Sequence, residues 1–184
     1  MTKVILASSS QRRQDLLKQI SVDFEVRIPN VDESSITDKN PKRKAMKLAQ
    51  LKSKAVPINE EEIIITCDTL ISINNEILEK PKNKEEARQM LTLMSGNTHT
   101  VYSAVVIKST EIYEEILSAT DVTFFELEDK EIETYIATDE PYDKAGGYGI
   151  QSFGAVFVEH IRGDYNTIVG LPISLLYQKI KPYI

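Results

Sequence analysis

Ile63-Ile64-Ile65-Thr66-Cys67 is an almost unbroken apolar, β-branched run, followed at once by Asp68 and Thr69. Such a run suits a strand buried on both faces at the centre of a sheet. The charge just beyond it falls where α/β folds collect ligand groups, at a strand's carboxyl end. Working toward the amino terminus, Val4-Ile5-Leu6-Ala7 reads as a second short buried strand. It runs into a serine cluster that can cap a helix from about Gln11, with Leu16, Leu17 and Ile20 on one face. Phe24 to Ile28 alternates as a strand and Pro29-Asn30 breaks it. Pro41 to Val56 reads as a helix with Ala45, Leu48, Ala49 and Val56 on one stripe, and Lys52 on that same stripe.

Toward the carboxyl terminus, Leu70 to Ile73 and Glu76 to Leu78 flank Asn74-Asn75, a hairpin turn signal. Lys84 to Met94 is an amphipathic helix stopped by Ser95-Gly96. Thr98 to Ile107 and Tyr113 to Phe125 read as long strands. Asp129 to Ala137 is a helix, Val156 to Ile161 a strand, and Pro172 to Ile180 a closing helix. Hairpins mixed with crossovers imply an α/β fold built on a mixed sheet, rather than a doubly wound one.

The length of 184 residues suits one domain, 1–184, with a real core. A single cysteine, Cys67, excludes an internal disulfide framework and fits a reducing compartment. The amino-terminal apolar run is too short for a signal peptide and no stretch is long enough to span a bilayer, so a cytoplasmic location is expected. The net charge of −6 is unevenly spread: residues 1–54 hold 12 Lys and Arg against 6 acids, and the rest hold 10 against 22. An acidic body with a basic first third suits a small anionic ligand held at one place better than a nucleic acid. A lysine-rich solvated helix face gives the same charge pattern.

Three polar stretches stand out. Ser8-Ser9-Ser10-Gln11-Arg12-Arg13 joins a strand to a helix, where free amide N–H groups and the helix dipole attract anions; serines and guanidinium groups strengthen the site. The plainer reading is a serine cap with two solvated arginines. Asp68 and Thr69 form the second. Asp68 can hold a divalent cation with substrate phosphates, accept a proton from water, or merely cap a turn. The third is Asp143-Lys-Ala-Gly-Gly-Tyr-Gly-Ile-Gln151-Ser-Phe-Gly154, which holds four of the seven glycines and requires sharp turns or close approach. Lys52 either lays its stem along the core edge or points into a cleft. Asp32-Glu33 is a further carboxylate pair, also explicable as loop solvation, and Lys80 precedes Pro81. His99 and His160 lack the neighbours of a zinc site. Cys67, beside a carboxylate, reads as a core residue rather than a nucleophile.

Together, Leu6-Ala-Ser-Ser-Ser-Gln-Arg-Arg13, Cys67-Asp-Thr69, Lys80-Pro81, Asp139 to Gln151, and Gly163-Asp-Tyr through Val169-Gly-Leu-Pro172 resemble the Maf family of nucleoside triphosphate pyrophosphatases over essentially the whole chain. The resemblance implies an elongated, twisted mixed sheet flanked by helices, with two lobes and a cleft, similar to inosine triphosphate pyrophosphatases. It implies hydrolysis of a nucleoside triphosphate to its monophosphate and pyrophosphate with a divalent metal: magnesium, manganese or cobalt. Asp68 is then the proton acceptor and, with Glu33, a metal contact; Ser8, Arg13, Lys52 and Lys80 hold phosphate. Arg12, Thr69 and Gln151 match the branch acting on dTTP and UTP, not the 7-methyl-GTP branch with Trp, Gln and Glu there. A homodimer is expected. Two departures are Gln11 for the family's proline, which would loosen entry into the helix, and Cys67 for its alanine or serine. The alternative is a nucleotide-sensing regulator of septum formation and cell division with little turnover.

Overall fold

The computed structural model describes residues 2–184. Seven strands form one mixed sheet: β1 (Lys3–Ala7), β2 (Phe24–Val26), β3 (Glu62–Ile73), β4 (Glu76–Leu78), β5 (Thr98–Lys108), β6 (Tyr113–Phe124) and β7 (Val158–Arg162). Their order is β2-β1-β3-β5-β6-β7, with β4 also on β3. β1 pairs in parallel with β2 and β3; every other pairing is antiparallel. The helices are α1 (Gln11–Gln19), α2 (Pro41–Ala55), α3 (Lys84–Met94), α4 (Asp129–Ile136), α5 (Tyr165–Val169) and α6 (Ile173–Ile180). The mixed α/β sheet expected from the sequence is therefore present. No helix among the described residues is long and apolar enough to cross a membrane.

The main difference lies in β3. Sequence pattern puts a strand end at Cys67, but the chain continues extended to Ile73, because β5 pairs with it without a break from Ile64↔Lys108 to Ser72↔Thr100. Asp68 consequently sits within the strand, opposite Ala104, not at its carboxyl end. On the other edge the partner changes. β1 pairs with Glu62 to Thr66 and β4 with Ile71 to Ile73, so Cys67 to Leu70 have no strand beside them there. Two smaller differences concern the ends. The strand expected over Phe24 to Ile28 stops at Val26, and Phe153–Phe157 coils as a 3-10 turn before β7. The closing helix is preceded by α5, which the pattern does not reveal because it spans five residues only.

Side chains alternate across β3. Its odd-numbered residues face one layer, where two apolar clusters lie side by side. One gathers Ile63, Ile65 and Cys67 with Val105, Ile107, Ile116, α1, α5 and α6; the other gathers Ile71 and Ile73 with Val101, Val122, Phe124, α3 and α4. Between them, directly opposite one another across three strands, stand Thr69, Ser103 and Ser118. This hydroxyl row marks the division into two lobes. The even-numbered face carries α2, whose Ala45, Leu48 and Ala49 pack on Leu70, Ala104 and Val106. Asn40 caps α2 by accepting from the Arg43 amide, and Pro41 occupies its first turn.

His99 falls within the strand expected over Thr98 to Ile107, and it is not a surface group. It is buried on β5, 2.7 Å from the Tyr148 hydroxyl and edge-on to Phe124. Burial holds its imidazole at a pKa of about 4, with Asp121 acting weakly in the opposite sense. The folded form thus keeps His99 neutral, while the unfolded chain protonates it below its ordinary value near 6.5. Stability should fall as pH drops from 7 to 5, by about 2 kcal/mol from this residue. Melting temperatures across that range should decline in the wild type and flatten in His99→Gln. Parallel curves for the two proteins would contradict this assignment.

Candidate active site

A cleft of about 1010 Å³ opens where β3 lacks an edge partner. Its lining includes all nine residues to which the family resemblance gives a role: Ser8, Arg12, Arg13, Glu33, Lys52, Asp68, Thr69, Lys80 and Gln151. The volume is at the upper end of that of small-molecule pockets. Because successive β3 side chains point to opposite faces, Asp68 meets α2 while Thr69 meets α1 and α5, and both reach the open edge.

On the α2 face, Lys52 is 12% exposed and its ammonium lies 2.5 Å from Asp68 Oδ1 and 3.1 Å from Glu33 Oε1. Its helical phase therefore directs it into the cleft. Asp68 is 6% exposed, and burial pushes its carboxyl above the ordinary range, opposed by Lys52 and Arg13 and assisted by Glu33. A carboxyl shifted upward is better matched to proton transfer near neutral pH than an exposed one. Asp32, by contrast, turns away: it accepts from the Ser34 amide and hydroxyl and holds the local turn. Both carboxylates are exposed, but only Glu33 also reaches Lys52.

On the opposite face, Arg13 donates from Nε to the Gly170 carbonyl at 2.9 Å, from Nη1 to Ser8 Oγ at 3.1 Å and from Nη2 to Thr69 Oγ1 at 3.1 Å. The solvated reading fails for Arg13; Arg12 stays partly exposed. The serine cap fails as well: Ser10 stands at the cap position of α1 without a side-chain hydrogen bond. The first turn of α1 lines the cleft, no side chain caps it, and no acidic residue stands in it. Ser8 Oγ accepts from Ser10 N and Arg13, so its own proton is left for a ligand. Gln11 still begins the helix, and its amide holds Asp15 at 2.8 Å. Cys67 is fully buried, with Sγ 3.0 Å from the Gly170 carbonyl, and burial pushes its thiol up. It is a core group, as read.

The glycine-rich segment closes the cleft's far wall. Gly146 and Gly147 have φ of 70° and 71°, a region open to glycine, and Gly146 N donates to the Glu79 carbonyl. Gly154 lies so close to Gly149 that an added Cβ would stand 2.5 Å from the Gly149 carbonyl oxygen. This return presents Gln151 at an exposed tip, where none of the described residues hydrogen-bonds its amide. Arg12 reaches across, 3.5 Å from Asp143, while the Lys144 ammonium is taken by Asp143 and the Glu140 carbonyl. Lys80 is exposed on the same rim and forms no ion pair among the described residues. Direct contacts thus join Ser8, Arg13 and Thr69 in one group and Glu33, Lys52 and Asp68 in another, with Arg12, Lys80 and Gln151 around them.

Residues 3–183 match the family model described as Maf-like protein. The chain belongs to the Maf family. Among its relatives, a Bacillus cytotoxicus protein named dTTP/UTP pyrophosphatase is 47% identical over 184 residues, covering 100% of this chain and 96% of that one. A Bacillus cereus protein of the same name is 45% identical with the same coverage. The solved structure of the Staphylococcus aureus Ham1 protein aligns over 100% of both chains with a TM-score of 0.55 and 12% identity, a likeness of fold alone.

Two carboxylates sharing one ammonium make a donor set that already accommodates positive charge. No cluster of three or more His, Cys, Asp or Glu among the described residues could hold a metal unaided. Asp68 and Glu33 are the carboxylates that could hold a cation of the magnesium type, which commonly takes one or two carboxylates and completes its shell with water and substrate phosphates.

Ser103 is a site-supporting residue that sequence reasoning missed; it is a polar residue in an apolar stretch, a signal that names no partner. Thr167 and Gly170 fall inside the motif that ends at Pro172, but the motif gives neither of them a role. Of the wall, Gly154→Ala should destabilise the protein by about 1–3 kcal/mol, since the intruding methyl meets backbone rather than a flexible side chain. Chemical denaturation checks this, and an unchanged midpoint would show that the segment can open at no cost.

Proposed function

We propose that this Maf-family chain hydrolyses dTTP and UTP to the nucleoside monophosphate and pyrophosphate by attack of water at the α-phosphorus. The observation that carries the reading is the Asp68 carboxyl, buried and raised, set within a strand whose open edge is flanked by cations from both faces. The names of the relatives at 45–47% identity support the substrate pair and do not favour a sensor with little turnover.

In the proposed mechanism the triphosphate lies across the open edge of β3. Ser8, Arg13, the amides opening α1, Lys52 and Lys80 neutralise and align its oxygens; phosphoryl transfer depends mainly on such positioning and charge stabilisation. Asp68 accepts the proton of the attacking water. Lys52 gives Asp68 up as negative charge builds on the departing pyrophosphate, which its ammonium can follow. A divalent cation held by Asp68 and Glu33 would supply charge neutralisation and a more acidic water. Gln151 and Arg12 face the base; the Gln amide offers both a donor and an acceptor, as a thymine or uracil edge requires, and Thr69 completes the specificity set. A homodimer, a cytoplasmic location and the absence of nucleic-acid binding belong to the same reading; the acidic body of the chain supports the last of these.

A pyrophosphate-release assay over a nucleotide panel with magnesium, manganese and cobalt tests the reading. dTTP and UTP should be cleaved and 7-methyl-GTP poorly; release of orthophosphate, or preference for the methylated purine, would overturn it. Asp68→Asn keeps the shape of the side chain and removes its charge. Turnover should drop about 100- to 10,000-fold in folded protein, whereas activity within a few-fold of the wild type would remove Asp68 from the chemistry.

A further inference from the structure

The hydroxyl row between the lobes carries a direction. Ser103 is fully buried on β5, with Oγ 2.9 Å from the Thr167 carbonyl and 2.8 Å from Thr69 Oγ1. A carbonyl only accepts and a hydroxyl has one proton. Ser103 therefore donates to Thr167, and can only accept from Thr69. The alternative acceptor for Thr69, the Gly170 carbonyl, is farther at 3.3 Å and already receives Arg13 Nε at 2.9 Å and the Cys67 thiol at 3.0 Å. With its proton directed at Ser103, Thr69 turns a lone pair to Arg13 Nη2.

The terminal acceptor exists because α5 stops early. The amides of Gly170 and Leu171 both go to the Asn166 carbonyl, so the Thr167 carbonyl has no helical partner. Gly170, at φ 124°, turns the chain out of the helix. α5 is itself fixed in place: Asp164 accepts from the Thr167 amide at 2.7 Å, its carbonyl accepts from Thr120, and Thr167 Oγ1 lies 2.7 Å from Ser118.

We propose that Ser103 is a positioning residue for the phosphate site, acting through Thr69 on the Arg13 guanidinium. The proposal rests on the reading of the cleft as a triphosphate site. Without Ser103 the Thr69 proton loses its acceptor, the hydroxyl turns, and Arg13 loses the lone pair that fixes the outer end of its fork. Both substrates share the phosphates and differ only in base and sugar. The effect must then fall equally on dTTP and UTP.

The experiment compares the wild type with Ser103→Ala, Ser103→Thr, Thr69→Val and the Ser103→Ala/Thr69→Val double variant. kcat/KM is measured for dTTP and UTP, and binding of inorganic tripolyphosphate by calorimetry, with melting curves alongside. Ser103→Ala should lose about tenfold in kcat/KM for both nucleotides and about tenfold in tripolyphosphate affinity, the scale of one hydrogen bond to a charged group. Ser103→Thr, which keeps the hydroxyl, should stay within about threefold of the wild type. The double variant should be no worse than Thr69→Val, because one chain can be broken only once. A change in the dTTP to UTP ratio, additive losses in the double variant, or unchanged tripolyphosphate binding in Ser103→Ala would overturn the proposal. Should Ser103→Ala melt early, the half-buried Thr69→Val carries the test: its losses must be equal for both nucleotides and extend to tripolyphosphate. A wild type that binds tripolyphosphate and cleaves neither nucleotide would refute the proposed reaction while leaving the relay to be judged by binding.

Discussion

β3 is paired along nearly its whole length with β5, yet on its other edge β1 ends at Thr66 and β4 begins at Ile71. A strand held on one side and bare for four residues on the other is both rigid and accessible. Because its side chains alternate, the bare length offers Asp68 to one layer and Thr69 to the other. Groups from α2 and groups from α1 and α5 meet there without any long loop to hold them. A catalytic carboxylate placed within a paired strand has less freedom than one on a loop, and it is desolvated by the helix packed above it. Both effects bear on the Asp68 carboxyl, whose affinity for protons is raised by burial and restrained by Lys52.

The two faces divide the work of charge. Lys52 reaches Asp68 and Glu33 from the α2 face, while Arg13 is gripped from the other by Ser8, Thr69 and Gly170. The first cation is bound only by carboxylates, which a phosphate can replace as its partner. The second is bound by neutral oxygens that keep its full charge available while fixing its plane. A triphosphate entering between them meets one cation able to move and one that is not. Gln151, with a free amide at the tip of a tightly returned glycine segment, and Arg12, with a loose contact to Asp143, form a separate and more open part of the cleft. Phosphate and base are thereby handled by different pieces of the chain.

Much of this was legible in the sequence. Apolar runs with turn signals locate most of the strands and helices, and the helical stripe of Ala45, Leu48 and Ala49 places Lys52 in the cleft. The motifs around Ser8, Asp68 and Gln151 converge as expected. What was not legible depends on pairing across distance. The continuation of β3 past Asp68 is enforced by β5, some thirty-five residues away, and overrides a local change to polar residues. Asp32 and Glu33 are adjacent and chemically alike; only the position of α2 decides that one holds a turn and the other reaches Lys52. Ser103 looks like an isolated polar residue until register sets it opposite Thr69 and under the end of α5.

The most direct test of the proposed chemistry is the fate of the attacking oxygen. Hydrolysis of dTTP or UTP in water enriched in oxygen-18, with products resolved by mass spectrometry, should place one labelled oxygen in the monophosphate and none in the pyrophosphate. Label in the pyrophosphate would mean attack at the β-phosphorus, and would contradict an active site built to bring water to the α-phosphorus beside Asp68.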